Sequence, residues 1–350
     1  MGLNGIDENT ECIVEQRFRL LMDVGSKIPV DYESLGIDLP PYYDAEKFRV
    51  GQSVFRNNVF TMMVAKLAGL LTLLAIPSIL DVLIFTKQSG TPCNAFRRYA
   101  ATILHTVIWY QKVPDEASKF FASLKNVKRK HCVAFKRSME AGLDRISQLD
   151  MALTQFGFIG FTLLSGDELG VKASAAELEG LVHVWRVIGS VLGIEERFNI
   201  CAGTTEETIS LCGRLLDEVF VPRLAEKRPE FEKMRVVLLE GVWPINPHID
   251  PSAYTAITYK FASAATSNNN HSLDIDTSSM SLYSRFIFAL QSFVHKNLLR
   301  TSLWWSPIFR AYFNANMLLS IFLTEHCPFL AYWIFGKRRS RVDIYKIHME

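Results

Sequence analysis

Three stretches of this chain carry residues whose types and spacing could do chemistry. The first is Val127-Lys128-Arg129-Lys130-His131-Cys132-Val133-Ala134-Phe135-Lys136. At helical spacing Val127, His131, Ala134 and Phe135 share one face, and Lys128, Arg129, Lys130 and Lys136 take the solvated remainder. That turns the His131 imidazole inward. A neutral buried imidazole offers one nitrogen as acceptor or metal ligand and must satisfy the other. An apolar wall, an inward imidazole and nearby cations for propionates are what a haem-iron ligand needs. The same placement suits a core histidine bonded to a backbone carbonyl.

The second stretch is Ala95-Phe96-Arg97-Arg98-Tyr99-Ala100-Ala101-Thr102-Ile103-Leu104-His105, where Arg98, Thr102 and His105 follow i, i+4, i+7 and Ala95 and Trp109 extend the stripe. A guanidinium, a hydroxyl and an imidazole on one partly apolar stripe could hold a polarised small ligand or a carboxylate. The alternative is a helix side facing a polar loop; Arg97 beside it reads as solvated. The third stretch, from Leu181 through His183, Trp185, Gly189 and Gly193 to Ile194, is strongly apolar. Its Gly189…Gly193 spacing permits close approach by a helix or a cofactor. Core packing is the favoured reading there, with His183 a second-choice ligand. Asp81, in an apolar segment upstream, is either an acid or base with a raised pKa or an exposed helix-end residue.

The elements that must position these residues are helices. Apolar residues recur with a 3.6-residue period, and period-two alternation is scarce. The pattern predicts helices over 8–22, 45–70, 72–86, 92–112, 114–139, 144–164, 174–193, 204–222, 227–241, 251–263, 282–298 and 307–335. Asp115 and Glu116 after Pro114 suit a first turn, Ser174 and Glu177 fit a capping box, and Gly193 suits a helix end. Residues 1–40 read as an N-terminal arm, extended over 28–43. Residues 41–263 form a helical body, 264–281 a mobile polar loop, and 282–350 a C-terminal helical segment with a basic tail. The fold class expected is all-α, a single large helical domain with this segment appended.

Two apolar regions raise the question of a membrane. Residues 59–85 are interrupted by Lys66, Pro77 and Asp81 and read as a buried core helix. Residues 303–335 are rich in aromatics and end in Lys337-Arg338-Arg339-Ser340-Arg341. They suit either core or an anionic membrane surface. No signal peptide is evident in residues 1–25, so the expected location is intracellular, either cytoplasmic or peripheral on an internal membrane. Met1-Gly2 opens like a myristoylation site, but Ile6 stands where Ser or Thr is wanted. The sequon Asn270-His271-Ser272 carries little meaning without secretion.

Composition sets the outer limits. The 350 residues are 49% hydrophobic, 12% aromatic and 21% charged, which excludes a disordered chain. Thirty-eight Lys and Arg against 36 Asp and Glu leave +2, so no global field draws the protein onto nucleic acid. Six scattered cysteines form no C-x-x-C pair and read as free thiols. There is no phosphate-binding loop, no dinucleotide fingerprint, no nucleophile elbow, no Glu-x-x-His and no His-Glu-x-x-His.

Taken together the stretches resemble the MpaB/latex-clearing-protein family of b-type haem oxygenases. Tyr42-Tyr43-Asp44 through Gly51-Gln52 to Asn58 resembles the start of that domain. Arg98-x-x-x-Thr102, Val127-x-x-x-His131 and Trp185…Gly189…Gly193-Ile194 follow in order, the similarity covering about residues 40–260. The resemblance implies haem b with His131 as proximal iron ligand, Arg98 and Thr102 on the distal side, and Trp185 against the cofactor. The implied activity is attack by dioxygen on an apolar, isoprenoid- or lipid-like unsaturated substrate, with oxidative cleavage of its double bond. The chain departs from rubber-cleaving members at Ala101, where they carry an iron-ligating lysine, and at Lys128 and Phe135, where they carry arginines. Those departures count against a lysine-ligated state and against rubber as substrate. Two other readings stay open: a haem carrier or sensor without turnover, and a helical lipid- or membrane-associated protein without haem.

Overall fold

The computed structural model describes residues 8–31, 36–115, 118–142, 145–266 and 273–345. The sequon and the first seven residues lie outside them, as does Glu116. The architecture is all-α: an isolated bridge between Pro29 and Ser147 is the one β feature among the described residues. In chain order the helices are α1 (Glu8–Arg19), α2 (Ala45–Asn57), α3 (Val59–Leu73), α4 (Pro77–Phe85), α5 (Pro92–Gln111) and α6 (Lys119–Glu140). There follow α7 (Gln148–Leu164), the single turn α8 (Gly166–Leu169), α9 (Ala175–Val191), α10 (Thr205–Leu215), α11 (Val221–Ala225) and α12 (Pro229–Val242). The last are α13 (Pro251–Ala265), α14 (Leu282–Phe293), α15 (Ser306–His326), α16 (Phe329–Phe335) and α17 (Lys337–Ser340).

Local chemistry sets most boundaries. Asp44 accepts from the amides of Glu46 and Lys47 to start α2, and capping boxes at Ser147/Asp150, Ser174/Glu177 and Thr204/Glu207 start α7, α9 and α10. Gly193, at φ +102°, ends the turn after α9 as expected. Several boundaries differ from expectation; the helix predicted over 307–335 is interrupted at Cys327 and Pro328, between α15 and α16. The helix predicted over 45–70 is broken at Asn58, because that buried side chain has tertiary work: its Nδ2 donates to the Lys172 carbonyl and its Oδ1 accepts from the Lys172 amide. Pro77 at its N-terminus delays α4 beyond the predicted start at 72. Ser118 caps α6, so Asp115 lies before the helix rather than in its first turn.

Close helix crossings build the core. A Cβ on Gly51 of α2 would lie 2.1 Å from the Gly180 carbonyl oxygen of α9, and one on Gly69 of α3 would lie 2.1 Å from the Gly157 carbonyl oxygen of α7. Gly189 does something else than expected, since its missing side chain makes room for the Gln155 amide. That amide donates to the Trp185 carbonyl and to Asn199. Of the two apolar regions, α3 is core as expected, with Lys66 buried inside it. No single helix among the described residues is long and apolar enough to cross a membrane.

The C-terminal segment is docked on the body by its inner face. Arg310 is buried and donates to Asn58 Oδ1 at 2.8 Å, to the Gly170 carbonyl, and to the Leu299 carbonyl at 3.3 Å. His295 lies 2.9 Å from the Leu169 carbonyl and stacks on Phe60. The outer face of the same segment stays exposed.

Candidate functional site

Helix α5 divides its chemistry between two directions. Its residues His105, Thr106, Trp109 and Tyr110 are buried, whereas Arg98 and Thr102 are half-buried. The predicted stripe of Arg98, Thr102 and His105 exists along one helix, but its three members do different work. The Thr102 hydroxyl donates back to the Arg98 carbonyl at 3.0 Å, which occupies its proton. Arg98 reaches Ser89 Oγ at 3.5 Å and lies over the Tyr99 ring. His105 turns to α6, where its Nδ1 is 2.7 Å from Ser123 Oγ. Trp109 Nε1 donates to the same Oγ at 2.9 Å. With that lone pair taken, the arrangement that satisfies Ser123 has its hydroxyl donate to Nδ1. The His105 proton then sits on Nε2, which is buried and has no hydrogen-bond partner.

His131 comes from α6. It is half-buried as a residue, but its Nδ1 is shielded from solvent. Burial first, then the charges of Arg98 and Lys130, push its pKa down to about 4. His105 is pushed to about 3 by burial, Lys130, Lys66 and His131. Both imidazoles are therefore neutral at physiological pH, and both feel each other's surroundings. The structure thus brings His131, His105 and Arg98 together.

Lys66 of α3 completes the cluster and escapes the sequence reading, which takes it only as a break in an apolar segment. Its Nζ donates to Thr106 Oγ1 at 2.5 Å and to the Thr102 carbonyl at 3.3 Å, and lies 5.0 Å from the Phe158 ring centre. Burial alone pushes its pKa down to about 7. The available signal is a lone lysine on a helix otherwise apolar all round.

The other candidates go elsewhere. Trp185 is buried, donates to the Tyr110 hydroxyl at 2.6 Å and packs on Phe158. It meets Lys66 and Thr106 across a void of about 10 Å³. His183 accepts the Asp44 amide at 3.0 Å and stacks on Tyr43, which makes it structural. Asp81 is exposed on α4. Lys128, expected in the solvated set, is instead buried and donates to the Gly36 carbonyl at 2.9 Å, fastening α6 to the N-terminal arm.

Two observations bear on a prosthetic group. By the chemistry of the donor set the residues fit a haem: a neutral enclosed imidazole, a second neutral imidazole with an unpartnered Nε2, and a guanidinium beside them. Space is the other matter. A cavity of about 780 Å³ lies on another side of α5, between Leu104 and the tail residues Lys337, Arg338, Arg341 and Tyr345, and none of His131, Arg98 or Thr102 lines it. Among the described residues no three His, Cys, Asp or Glu side chains converge as metal ligands.

Fold and site together define an all-α protein with paired neutral histidines on adjacent helices. No protein-family model matches the chain, and no curated protein is similar to it. Among solved structures it is similar to that of latex clearing protein LCP in the closed state, at 14% identity and TM-score 0.49, over 92% of this chain and 81% of that one. No residue role is taken from that likeness.

Proposed function

We propose that the chain is a haem-dependent oxygenase acting on an apolar, isoprenoid- or lipid-like unsaturated substrate. The observation that carries the reading is the pair of neutral imidazoles on facing helices, His105 buried and His131 half-buried with its Nδ1 shielded from solvent. A haem b held there supplies dioxygen activation. His131 offers the nitrogen lone pair, kept unprotonated across the physiological range by burial and by Arg98. The His105 Nε2–H is a preset donor in a dry site, held in its tautomer by Ser123, and donors of that kind stabilise developing negative charge. Arg98 adds a fixed positive charge. The Thr102 hydroxyl acts on a distal ligand only by leaving the Arg98 carbonyl.

The test is titration of the purified chain with haemin, read by absorption, beside His131→Ala and Thr102→Ala. A strong Soret band in the wild type, lost or shifted in His131→Ala, is the expected result. Thr102→Ala is expected to keep the band and lose oxygen consumption with a polyprenoid or unsaturated lipid. A chain that takes up no haem overturns the proposal. A band without oxygen-dependent turnover of any such substrate leaves a carrier in place of an oxygenase.

A further inference from the structure

The outer surface of α14, α15 and α16 differs from the rest of the molecule. Leu282, Trp304 and Trp333 are 80%, 81% and 80% exposed, and Phe286, Ile308 and Tyr312 are each more than half exposed. Single exposed apolar residues are ordinary, but so many large ones on consecutive helices mark an interaction surface. Charge is distributed to match. Between residues 282 and 345 there are eight Lys or Arg and two Asp or Glu, in a chain whose balance is +2. Four of the eight, Lys337, Arg338, Arg339 and Arg341, follow α16 directly and are exposed. Three of these, Lys337, Arg338 and Arg341, edge the cavity of about 780 Å³, whose lining also includes Leu104 of α5 and the carboxylates of Glu325 and Asp343.

We infer that this face docks the protein on an anionic lipid bilayer. The rings of α14–α16 lie at the acyl boundary, and the 337–341 cations meet phosphate headgroups at the cavity mouth. Aromatic rings favour that depth, and adjacent basic residues are drawn to anionic leaflets. The geometry is that of lying on the surface: α15 and α16 are bent by 53° at their junction, and neither alone is long and apolar enough to span. A second copy of the chain would cover the same apolar rings. A two-fold contact of that kind, however, sets the basic cluster close to its own counterpart, a repulsive arrangement that a bilayer avoids. The inference rests on the C-terminal segment and is independent of any prosthetic group.

The test uses the full chain with vesicles of phosphatidylcholine alone and of phosphatidylcholine with phosphatidylserine. Co-sedimentation and a blue shift of tryptophan emission are expected with the anionic vesicles. Neutralising three cations in K337Q/R338Q/R341Q is expected to weaken that binding by roughly a hundredfold, and W304S/W333S to abolish the blue shift. All five positions except Arg341 and Lys337 need only circular dichroism as a folding control, and those two are checked by thermal midpoint as well. Equal binding to both vesicle types, or none to either, overturns the inference. So does binding of soluble glycerophosphoserine without sedimentation, or a concentration-dependent dimer that shifts the same emission without lipid.

Discussion

Helices α3 and α6 both reach the histidine cluster, yet they are held in opposite ways. Thirteen of the 15 residues of α3 are buried, and its Gly69 lies against the α7 backbone too closely for any side chain. Only six of the 22 residues of α6 are buried, and past Lys128 only Ser138 is among them. The Lys66 side of the cluster is therefore fixed by core packing, while the His131 side rides on a sparsely anchored stretch of helix. Local opening draws on such weakly buried elements. The void beside Lys66, about 10 Å³ and walled by α2, α3, α5, α7 and α9, is far too small for a macrocycle. Admitting one would require displacement, and α6, on the His131 side, is the more weakly held of the two helices.

The largest test of that contrast is Gly69→Ala. Its Cβ would meet the Gly157 carbonyl oxygen at 2.1 Å, and neither backbone can yield without moving α3 off α7. A loss of about 3 kcal/mol is expected in denaturant unfolding. Val133→Ala on the exposed side of α6 is the matched control, expected within about 0.5 kcal/mol. Comparable losses at the two sites would erase the distinction between the helices.

A second test concerns the charge that α3 buries. Burial lowers the Lys66 pKa from 10.5 in the unfolded chain to about 7 in the fold. The folded state thus binds fewer protons than the unfolded state between those values, and stability rises with pH across that window. Below pH 7 the full penalty of burying the ammonium is present; above 10.5 it is gone. Lys66→Met removes the penalty but also the bond to Thr106, and a net gain of about 2 kcal/mol is expected at pH 7. The gain should shrink as pH climbs toward 10. A variant whose advantage is flat from pH 7 to 10 would show that Lys66 keeps its proton in the fold across that range, and so that burial does not lower its pKa.

The same contrast explains what was legible in the sequence. Apolar periodicity and caps place nearly every helix, because apolar residues recur along each of them and capping boxes open α7, α9 and α10. It failed where a tertiary partner overrode the local pattern. Asn58 breaks a helix because Lys172 and Arg310 need its amide, and no local signal announces either partner. Lys128 reads as solvated because helical spacing sees only its own helix, not the arm whose Gly36 carbonyl receives it. His131 and Arg98 stand out as candidates from spacing and resemblance. Lys66 and the Ser123 bridge do not, since they become meaningful only once α3 and α6 are each brought to α5.

Ser123 offers the finest probe of how α6 is held. Its hydroxyl oxygen is the shared partner of His105 Nδ1 and Trp109 Nε1, and so ties α6 to α5 beside the cluster. Ser123→Ala leaves both ring nitrogens without that partner. In a rigid core, two such losses together would cost several kcal/mol. Ser123 itself is buried, so water reaches the two nitrogens only if α6 yields; on a helix so sparsely held beyond Lys128 it does, and about 1 kcal/mol is expected. The His105 tautomer, no longer set by Ser123, should then change, which the nitrogen chemical shifts of the imidazole report. A large loss of stability with an unchanged tautomer would place α6 in the rigid core with α3, and would remove the displaceable wall on which admission of a macrocycle depends.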